Sequence, residues 1–225
     1  MRNSIAYPGM NVKVVGSHGG LSVGEDGATH QCIEDFSLMR TIPGMTVLCP
    51  CDANEMTLAV EALLQYEGPA YMRLGRSAVE TVTDSIPGYH FQLGKGVTLR
   101  DGKDVTIVAV GMMVQMALKA ADILSAEGIS ARVLDFHTIK PLDQELLLAA
   151  AKETGAIVTA ENHNVTCGLG SVVANCLAKN APTIQEFVGV QDRFGQVGPQ
   201  DFLMDEYGLR AANIVAAVKK AISRK

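Results

Sequence analysis

Residues 105–136 read VTIVAVGMMVQMALKAADILSAEGISARVLDF, and this stretch decides the fold. Two apolar runs rich in β-branched residues, Val105–Gly111 and Ala131–Phe136, flank a segment with helical spacing over Met113–Glu127. A strand, a helix and a second strand in this order predict two parallel strands joined by a crossover helix. Both runs are almost continuously apolar, which is typical of strands that helices cover on both faces.

The same alternation continues in both directions from this unit. Further apolar runs predict strands at Val12–Val15, Met45–Cys49, Tyr71–Leu74, Ala156–Ala160 and Thr183–Val190. Helical segments lie between or after them, at Cys32–Thr41, Ala53–Tyr66, Gln144–Thr154, Leu169–Lys179 and Ala211–Ser223. The predicted fold class is therefore α/β, with parallel sheets between helical layers in a three-layer αβα arrangement.

A segment of different composition divides the chain. Residues 75–103 are rich in glycine, serine, threonine and charge, and they contain the turn-forming pairs Pro87-Gly88 and Asp101-Gly102. Short edge-type strands are expected around Phe91–Leu99, because an edge tolerates such polar sequence. We predict that residues 91–103 form a linker.

The linker separates a first domain at residues 1–90 from a second at residues 104–225. The second has enough strands and helices for a complete α/β domain. The first has about three strands, and a three-stranded parallel sheet rarely stands alone. We therefore expect a partial domain with an unpaired strand edge and an apolar surface, which would drive homodimerisation or aggregation.

Composition excludes several classes of protein. The 225 residues are 48% hydrophobic and 19% charged, which is too apolar for a disordered chain. The net charge of −5 argues against a nucleic-acid partner. Without an apolar run of membrane-spanning length or an apolar signal core, we expect a cytoplasmic protein with no membrane partner. Five irregularly spaced cysteines favour neither a disulfide framework nor a zinc site.

The loop after the first predicted strand carries the groups best suited to chemistry. Residues 17–31 read SHGGLSVGEDGATHQ, with four glycines, two histidines and two carboxylates. Ligands bind α/β sheets at the loops after strand carboxyl ends, and glycine lets the backbone approach them closely. His18, Asp26 and His30 are suited to move protons or to bind sugar hydroxyls and phosphate. The alternative is a solvated loop in which Asp26 and His30 cap the next helix.

Two arginines follow the third predicted strand. Arg73 and Arg76 lie in the sequence Tyr71-Met72-Arg73-Leu74-Gly75-Arg76. A guanidinium at a strand's carboxyl end suits phosphate or carboxylate binding, because its planar fork matches those oxygens. Strand alternation would place the two arginines on opposite sides, so we expect only one of them to face the site. The alternative is an ordinary surface arginine.

A second polar turn follows the strand predicted at Ala156–Ala160. Glu161-Asn162-His163-Asn164 precedes Gly168-Leu169-Gly170 and a helix, which is the setting of a phosphate-cradling turn. The third glycine of a dinucleotide fingerprint is missing, which favours close packing of the helix on the strand over a cofactor site. His137 and His90 are interpreted as structural.

These residues point to a family. Gly24-Glu25-Asp26-Gly27-Ala28-Thr29-His30-Gln31 closely resembles the signature of transketolase pyrimidine domains. Three downstream groups resemble the transketolase C-terminal domain: Ile139-Lys140-Pro141-Leu142-Asp143, Glu161-Asn162-His163 with Gly168-Leu169-Gly170, and Asp192-x-Phe194-Gly195-x-x-Gly198. The matches run in order along the chain, which therefore resembles the C-terminal subunit of split transketolases with roughly its first third absent.

The resemblance implies a thiamine-diphosphate enzyme that moves a two-carbon ketol unit between sugar phosphates, with the cofactor supplying the carbanion chemistry. It implies that His18 and His30 are the catalytic histidines, His18 near the substrate and His30 near the cofactor. It also implies that Asp26 binds the donor's hydroxyl and that Arg76 binds the sugar phosphate.

The departures from the family pattern define what this segment lacks. The family's catalytic glutamate lies upstream, and Glu25 is not its equivalent. Asp26-Gly27 followed by Asn54 imitates a magnesium motif, but Glu25 replaces its first glycine. Ala28 and Asn162 replace the family's usual proline and acid. In split enzymes the partner chain holds diphosphate and magnesium, so we expect an N-terminal subunit as partner and neither cofactor nor metal on this chain alone.

Three functions stay open at this point. The first is a transketolase-type subunit that needs its missing parts and is inactive alone. The second is a relative of deoxyxylulose-phosphate synthase or of the 2-oxo-acid dehydrogenase β subunit. The third is a non-catalytic fragment or assembly module, favoured by a start beyond the family's glutamate. Thr29-His30-Gln31 within the longer Gly-Glu-Asp-Gly frame favours the first.

Overall fold

Two sheets of mainly parallel strands form the molecule, and the computed structural model describes residues 1–225. The first half contributes strands and helices in the order β1 (Lys13–Gly16), α1 (Asp35–Arg40), β2 (Thr46–Leu48), α2 (Ala53–Gln65) and β3 (Ala70–Arg73). A helical turn at Arg2–Ala6 and a 3₁₀ segment at Gly20–Asp26 lie before and after β1. Both β1 and β2 pair in parallel with β3, as strands joined by crossover helices should.

The second half adds six strands and five helices. They are β4 (Val97–Arg100), β5 (Val105–Ala109), α3 (Met113–Ala126), β6 (Ala131–Asp135), β7 (Thr138–Lys140), α4 (Gln144–Thr154), β8 (Ala156–Asn164), α5 (Leu169–Asn180), β9 (Ile184–Val190), α6 (Gln200–Glu206) and α7 (Ala211–Ile222). The second sheet has the order β4-β6-β5-β8-β9. Its pairs are parallel except at β4, an antiparallel edge strand in the region where short edge strands were predicted.

The first half of the chain supplies three strands, as predicted, but the sheet that they form has four. Its fourth strand, β7, comes from the second half of the chain and pairs antiparallel with β2. A strand of only three residues has no periodicity that a sequence pattern can detect. Its pairing with β2 joins the two halves of the chain directly.

Other boundaries also differ from the predictions. β8 continues through Asn164 rather than stopping at Ala160, so the polar turn residues Glu161–His163 lie on a buried strand. α1 begins at Asp35 rather than Cys32. α6 was not predicted, because its seven residues carry too little of the helical pattern.

Two helices begin with an aspartate whose side chain caps the helix. Asp52 caps α2 by accepting a hydrogen bond from the Glu55 backbone N–H at 2.8 Å, and Asp143 accepts one from Leu146 at 3.2 Å. The suggestion that Asp26 and His30 cap the following helix is wrong. Glu34 is the N-cap residue of α1, and no side chain caps that helix.

Both halves share one set of buried side chains. Leu21 and Ile33 pack in the same cluster as Ile107 of β5, while Phe36 packs in the same cluster as Phe136. Burial of these side chains removes apolar surface from water across the junction. The segment that follows β1 is therefore packed against the second sheet.

Among the exposed apolar side chains, two groups lie close to β1 and to α6 in the sequence. The predicted unpaired edge is that of β1, where Val15 is half exposed, and Tyr7 and Met10 before this strand are exposed as well. The second group lies around α6 and contains Phe194, Val197 and Phe202. None of the helices has both the length and the apolar character needed to span a membrane.

Candidate active site

The loop after β1 is anchored from within. Leu21 is buried, and its backbone N–H donates to the Asn162 side chain at 3.1 Å. The buried Gln31 amide donates to the carbonyls of Gly24 at 3.1 Å and Gln196 at 3.0 Å. A Cβ at Gly20, where φ is +75°, would collide with Asn162, so only glycine fits this approach. Buried anchors thus fix a loop whose other side faces solvent.

The predicted site residues lie on the open side of this loop. His18, Asp26 and His30 are exposed, and Arg76 approaches Asp26 with its Nη1 4.0 Å from the carboxylate. Arg76 also donates to the backbone carbonyl of Val23, which holds its side chain over the loop. The structure therefore brings Asp26 and Arg76 together.

The two histidines make only local hydrogen bonds. His18 Nδ1 lies 3.0 Å from the hydroxyl of Ser17, and His30 Nδ1 lies 3.0 Å from the hydroxyl of Thr29. His18 has φ of +63°, an uncommon backbone conformation for a residue with a side chain. Both rings are open to a molecule arriving from solvent.

Arg73 is a buried structural residue rather than a second solvent-facing arginine. It is 3% exposed, and its Nη1 lies 3.3 Å from Asp35 while its Nη2 donates to the Asn162 carbonyl at 2.7 Å. Its guanidinium also stacks 4.6 Å from the centroid of the Phe36 ring. β3 ends at Arg73, so the turn of the chain after the strand sends Arg76 outwards.

Asp35 is the centre of a buried polar network. It accepts a hydrogen bond from Tyr71 at 2.8 Å, and its Oδ1 lies 4.0 Å from His163 Nε2. His163 stacks on Phe36 at 4.9 Å. Burial lowers the pKa of His163 to about 4, with the positive charge of Arg73 acting in the same direction. Sequence reasoning missed Asp35, because its partners come from distant strands.

The polar turn after β8 is filled by the protein's own side chains. Glu161 accepts hydrogen bonds from the N–H groups of Leu169 at 2.7 Å and Gly170 at 2.9 Å, at the start of α5. A Cβ at Gly168 would collide with the Glu161 carboxylate. Burial raises the pKa of Glu161 to about 7. Close packing of helix on strand, the favoured interpretation, accounts for these glycines.

We predict that His163 makes stability fall in acid. It is neutral when folded and takes up a proton near pH 6.5 when unfolded, so the unfolded state binds more protons between about pH 6.5 and pH 4. The free energy of unfolding should then fall by up to about 1.4 kcal/mol per pH unit on acidification through this window. Denaturant titrations of the wild type and His163→Gln measure the effect.

The exposed His90 provides the matched control. His90→Gln should keep the acid dependence of the wild type, while His163→Gln should lose that part of it. Equal acid dependence in the wild type and His163→Gln would contradict the assignment of His163 as a neutral buried group.

A cavity of about 320 Å³ opens between the two sheets. It lies next to the segment that follows β3, residues 74–83, which carries Arg76 and is called the Arg76 loop below. Its wall includes Arg73, Asp52 and the turn at Gly111 that leads into α3. Asp52 accepts hydrogen bonds at 2.8 Å from the backbone N–H groups of Val82 and Thr83. The loop carrying Arg76 is therefore tied to the start of α2. No sequence pattern predicts the contact between Asp52 and Thr83, because these residues are far apart in the chain.

Family models match nearly the whole chain. Residues 1–81 match the transketolase pyrimidine binding domain, and residues 94–214 match the transketolase C-terminal domain. The chain is 47% identical to the 6-deoxy-6-sulfo-D-fructose transketolase subunit SqwH of Clostridium sp. (strain MSTE9), over 99% of this chain and 68% of that protein. It is 39% identical to a 1-deoxy-D-xylulose-5-phosphate synthase of Heliobacterium modesticaldum, over 88% of this chain and 31% of that protein.

A solved structure agrees in fold along the whole chain. The split gene transketolase described as an inactive beta4 tetramer superposes with a TM-score of 0.91 and is 50% identical, over 99% of this chain and 70% of that one. The overlaps leave about a third of each subunit-sized relative, and about two thirds of the synthase, outside this chain. With both family models, a close relative and a solved structure in agreement, this chain belongs to the transketolase family.

Proposed function

We propose that the chain is the C-terminal part of a thiamine-diphosphate transketolase that moves a two-carbon ketol unit between anionic sugars. One observation carries the proposal: the loop after β1 presents His18, Asp26 and His30 to solvent and brings Asp26 to within 4.0 Å of Arg76. Ligands of α/β sheets bind at this end of the strands. The family membership supplies the chemistry that these groups would serve.

Each exposed group suits one part of that task. Arg76 offers a planar guanidinium to a phosphate or a sulfonate, and Asp26 accepts hydrogen bonds from sugar hydroxyls. His18 lies on the same loop and suits proton exchange with the substrate. His30 would contact the cofactor. Bound thiamine diphosphate supplies the carbanion chemistry, and the side chains of this chain bind, orient and protonate.

The residues present fit only part of the cofactor. The exposed imidazole of His30 suits a polar contact with an aromatic amine. The thiol of Cys51 and the carboxyl groups of Glu55 and Asp135 lie within 4.8 Å of one another, and all three residues are buried. A thiol does not suit magnesium, which prefers oxygen ligands, usually carboxylates, phosphates and water. We therefore assign the diphosphate and its magnesium to a second chain, an N-terminal subunit.

The relatives support a partner chain and an anionic sugar. Two of them are named as transketolase subunits, one for 6-deoxy-6-sulfo-D-fructose and one for apulose 4-phosphate. These names describe substrates that carry a sulfonate or a phosphate group. We propose the same class for this chain, with Arg76 as the residue that binds the anion.

Reconstitution tests the proposal. The chain is mixed with a transketolase N-terminal subunit, thiamine diphosphate and magnesium, and ketol transfer is measured with phosphorylated and sulfonated ketoses. We expect activity in the mixture and none from the chain alone. His30→Ala should lose activity while keeping its thermal stability, because the His30 ring is exposed. Tight cofactor binding by the isolated chain in calorimetry would contradict the division between two chains.

The same assay separates the alternatives. The 39% identity to a deoxyxylulose-phosphate synthase keeps that activity as a second candidate, so product analysis must include it. A 2-oxo-acid dehydrogenase β role predicts acyl transfer instead of ketol transfer. An assembly module predicts complex formation with the N-terminal subunit but no dependence of the measured rate on His30 or Asp26.

We predict that the isolated chain self-associates through the edge of β1. Val15 is half exposed there, and the outer side of the strand has no partner strand. Val15→Lys should weaken self-association, because a charged side chain opposes edge-to-edge pairing. Val60→Lys on the exposed face of α2 is the matched control and should leave it unchanged. Multi-angle light scattering at micromolar concentration reads the result, and a monomeric wild type would contradict the prediction.

A further inference from the structure

Two buried carboxyl groups meet where the sheets join. Glu55 lies in the first turn of α2, and Asp135 is the last residue of β6. Both residues are 0% exposed. A carboxyl oxygen of each and the Cys51 sulfur all lie within 4.8 Å of one another. Two carboxylates this close in a buried site cannot both be ionised, so the pair holds at least one proton.

The hydrogen bonds show which residue keeps the proton. The Glu55 carboxylate accepts from the Cys51 backbone N–H at 2.6 Å and from the Tyr89 hydroxyl, and both bonds favour its charged form. No N–H or hydroxyl group donates to either Asp135 oxygen, and the only donor beside it is the Cys51 thiol, which is a weak one. An ionised and unpartnered Asp135 would carry a large desolvation penalty. Burial and the charge of Glu55 raise the pKa of Asp135 well above its ordinary value.

The surroundings offer no positive charge to this pair. The β2–α2 connection brings Cys49, Cys51 and the Asp52 carboxylate near it, and the linker side brings Tyr89. His137 follows β6 and faces Glu55, but burial lowers the pKa of its imidazole and keeps it neutral near pH 7. The charged neighbours therefore oppose ionisation of Asp135 instead of stabilising it.

The start of α2 also holds the Arg76 loop. Asp52 caps the helix through Glu55 N–H and accepts from Val82 and Thr83 in the segment that follows Arg76. The Gln115 amide of α3 donates to the Cys51 carbonyl at 2.8 Å and to the Glu80 carbonyl at 3.0 Å. A hydrogen bond between Asp135 and Glu55 would fix this helix start to the second sheet, and the loop with it.

We propose that Asp135 stays protonated at neutral pH and donates a hydrogen bond to Glu55, and that this bond positions the loop that carries Arg76. Asp135 and Glu55 are thus positioning residues that act through Asp52. The relevance to catalysis rests on the proposed function of Arg76. The protonation of Asp135 and the fixing of the loop do not depend on that function, so both are tested on the chain without an activity assay.

Infrared spectroscopy tests the proton directly. The wild type should show the carbonyl stretch of a protonated carboxylic acid at pH 7.5, and Asp135→Asn should lose it. Glu161→Gln identifies any band from the other buried acid, whose pKa is raised to about 7. Asp84→Asn changes an exposed acid and should leave the spectrum unaltered. The absence of a band assignable to Asp135 would overturn the proposal.

Stability against pH gives a second readout. Folded Asp135 keeps a proton that the unfolded chain releases near pH 4, so the wild-type unfolding constant should rise up to about tenfold per pH unit above that value. Asp135→Asn keeps a donor to Glu55 and should fold, yet lose this component of the slope. Asp84→Asn should keep it. Equal slopes in the wild type and Asp135→Asn would contradict the shared proton.

Amide hydrogen exchange tests the positioning role. The N–H groups of Val82 and Thr83 should exchange at least about tenfold faster in Asp135→Ala than in the wild type, and Asp135→Asn should restore slow exchange. Unchanged exchange in Asp135→Ala would overturn the positioning role. Stoichiometric zinc binding that Cys51→Ser abolishes would replace the proton with a cation and overturn the proposal.

Discussion

Replacement of Arg73 by methionine is expected to lower the free energy of unfolding by about 3–5 kcal/mol, because it leaves the buried Asp35 carboxylate without its charged partner. Arg73 is 3% exposed and lies 3.3 Å from Asp35. The substitution also removes the bond to the Asn162 carbonyl and the stacking on Phe36. Chemical denaturation monitored by circular dichroism measures the change.

Arg76→Met is the matched control for stability. Its side chain is 42% exposed and its ion pair with Asp26 spans 4.0 Å, so solvent screens most of that interaction. We expect its loss to cost less than about 1 kcal/mol. If the two variants were equally stable, the assignment of Arg73 as the buried structural arginine would be wrong. Asp35→Asn combined with Arg73→Met should recover part of the loss, because it removes the unpaired charge.

For activity in the reconstituted enzyme, we expect Arg76→Met to be the more damaging of the two substitutions. Arg76→Met should lower kcat/KM for an anionic ketose by about 10–100-fold, because a hydrogen bond to a charged group contributes about 1.5–3 kcal/mol. The loss should appear mainly in KM, since the anion is bound in both ground and transition states. Steady-state kinetics with phosphorylated and neutral ketoses measure it, and neutral substrates should be affected far less.

A second substitution separates local charge from total charge. Arg100→Met removes an equal charge on the edge strand β4, where Arg100 pairs with Asp122, and it should leave kcat/KM unchanged. An equal effect of Arg76→Met on charged and neutral ketoses would contradict the role of Arg76 as the anion-binding residue. The Asp26–Arg76 geometry would then have to serve the loop and not the substrate.

Local patterns in the sequence were sufficient to predict most of the helices and strands. The run Val105–Gly111 became β5, the segment Met113–Glu127 became α3, and Asp52, a residue type that favours the N-cap position, caps α2. These features depend on side-chain periodicity and on contacts within a few residues. The loop of residues 17–31 is likewise a local feature, because its glycines, histidines and carboxylates directly follow an apolar strand pattern.

No local pattern in the sequence predicted the contacts between residues that are distant in the chain. β7 pairs with β2 about 90 positions away, and Asp135 meets Glu55 80 positions away. Single-sequence patterns describe one element at a time, so they identify neither partner. The same limit applied to Arg73, whose role depends on Asp35 and on Asn162 from the other half of the chain.

The sequence by itself determined the α/β class, most helices and strands, the glycine-rich loop after β1 and, through its motifs, the family. Only the tertiary structure decided that Arg73 is buried while Arg76 is exposed, that β7 completes the first sheet, and that Asp135 lies against Glu55. The physical reason is the range of the interactions. Periodicity and capping act within a few residues, whereas burial, ion pairing and shared protons depend on which distant surfaces the folded chain brings together.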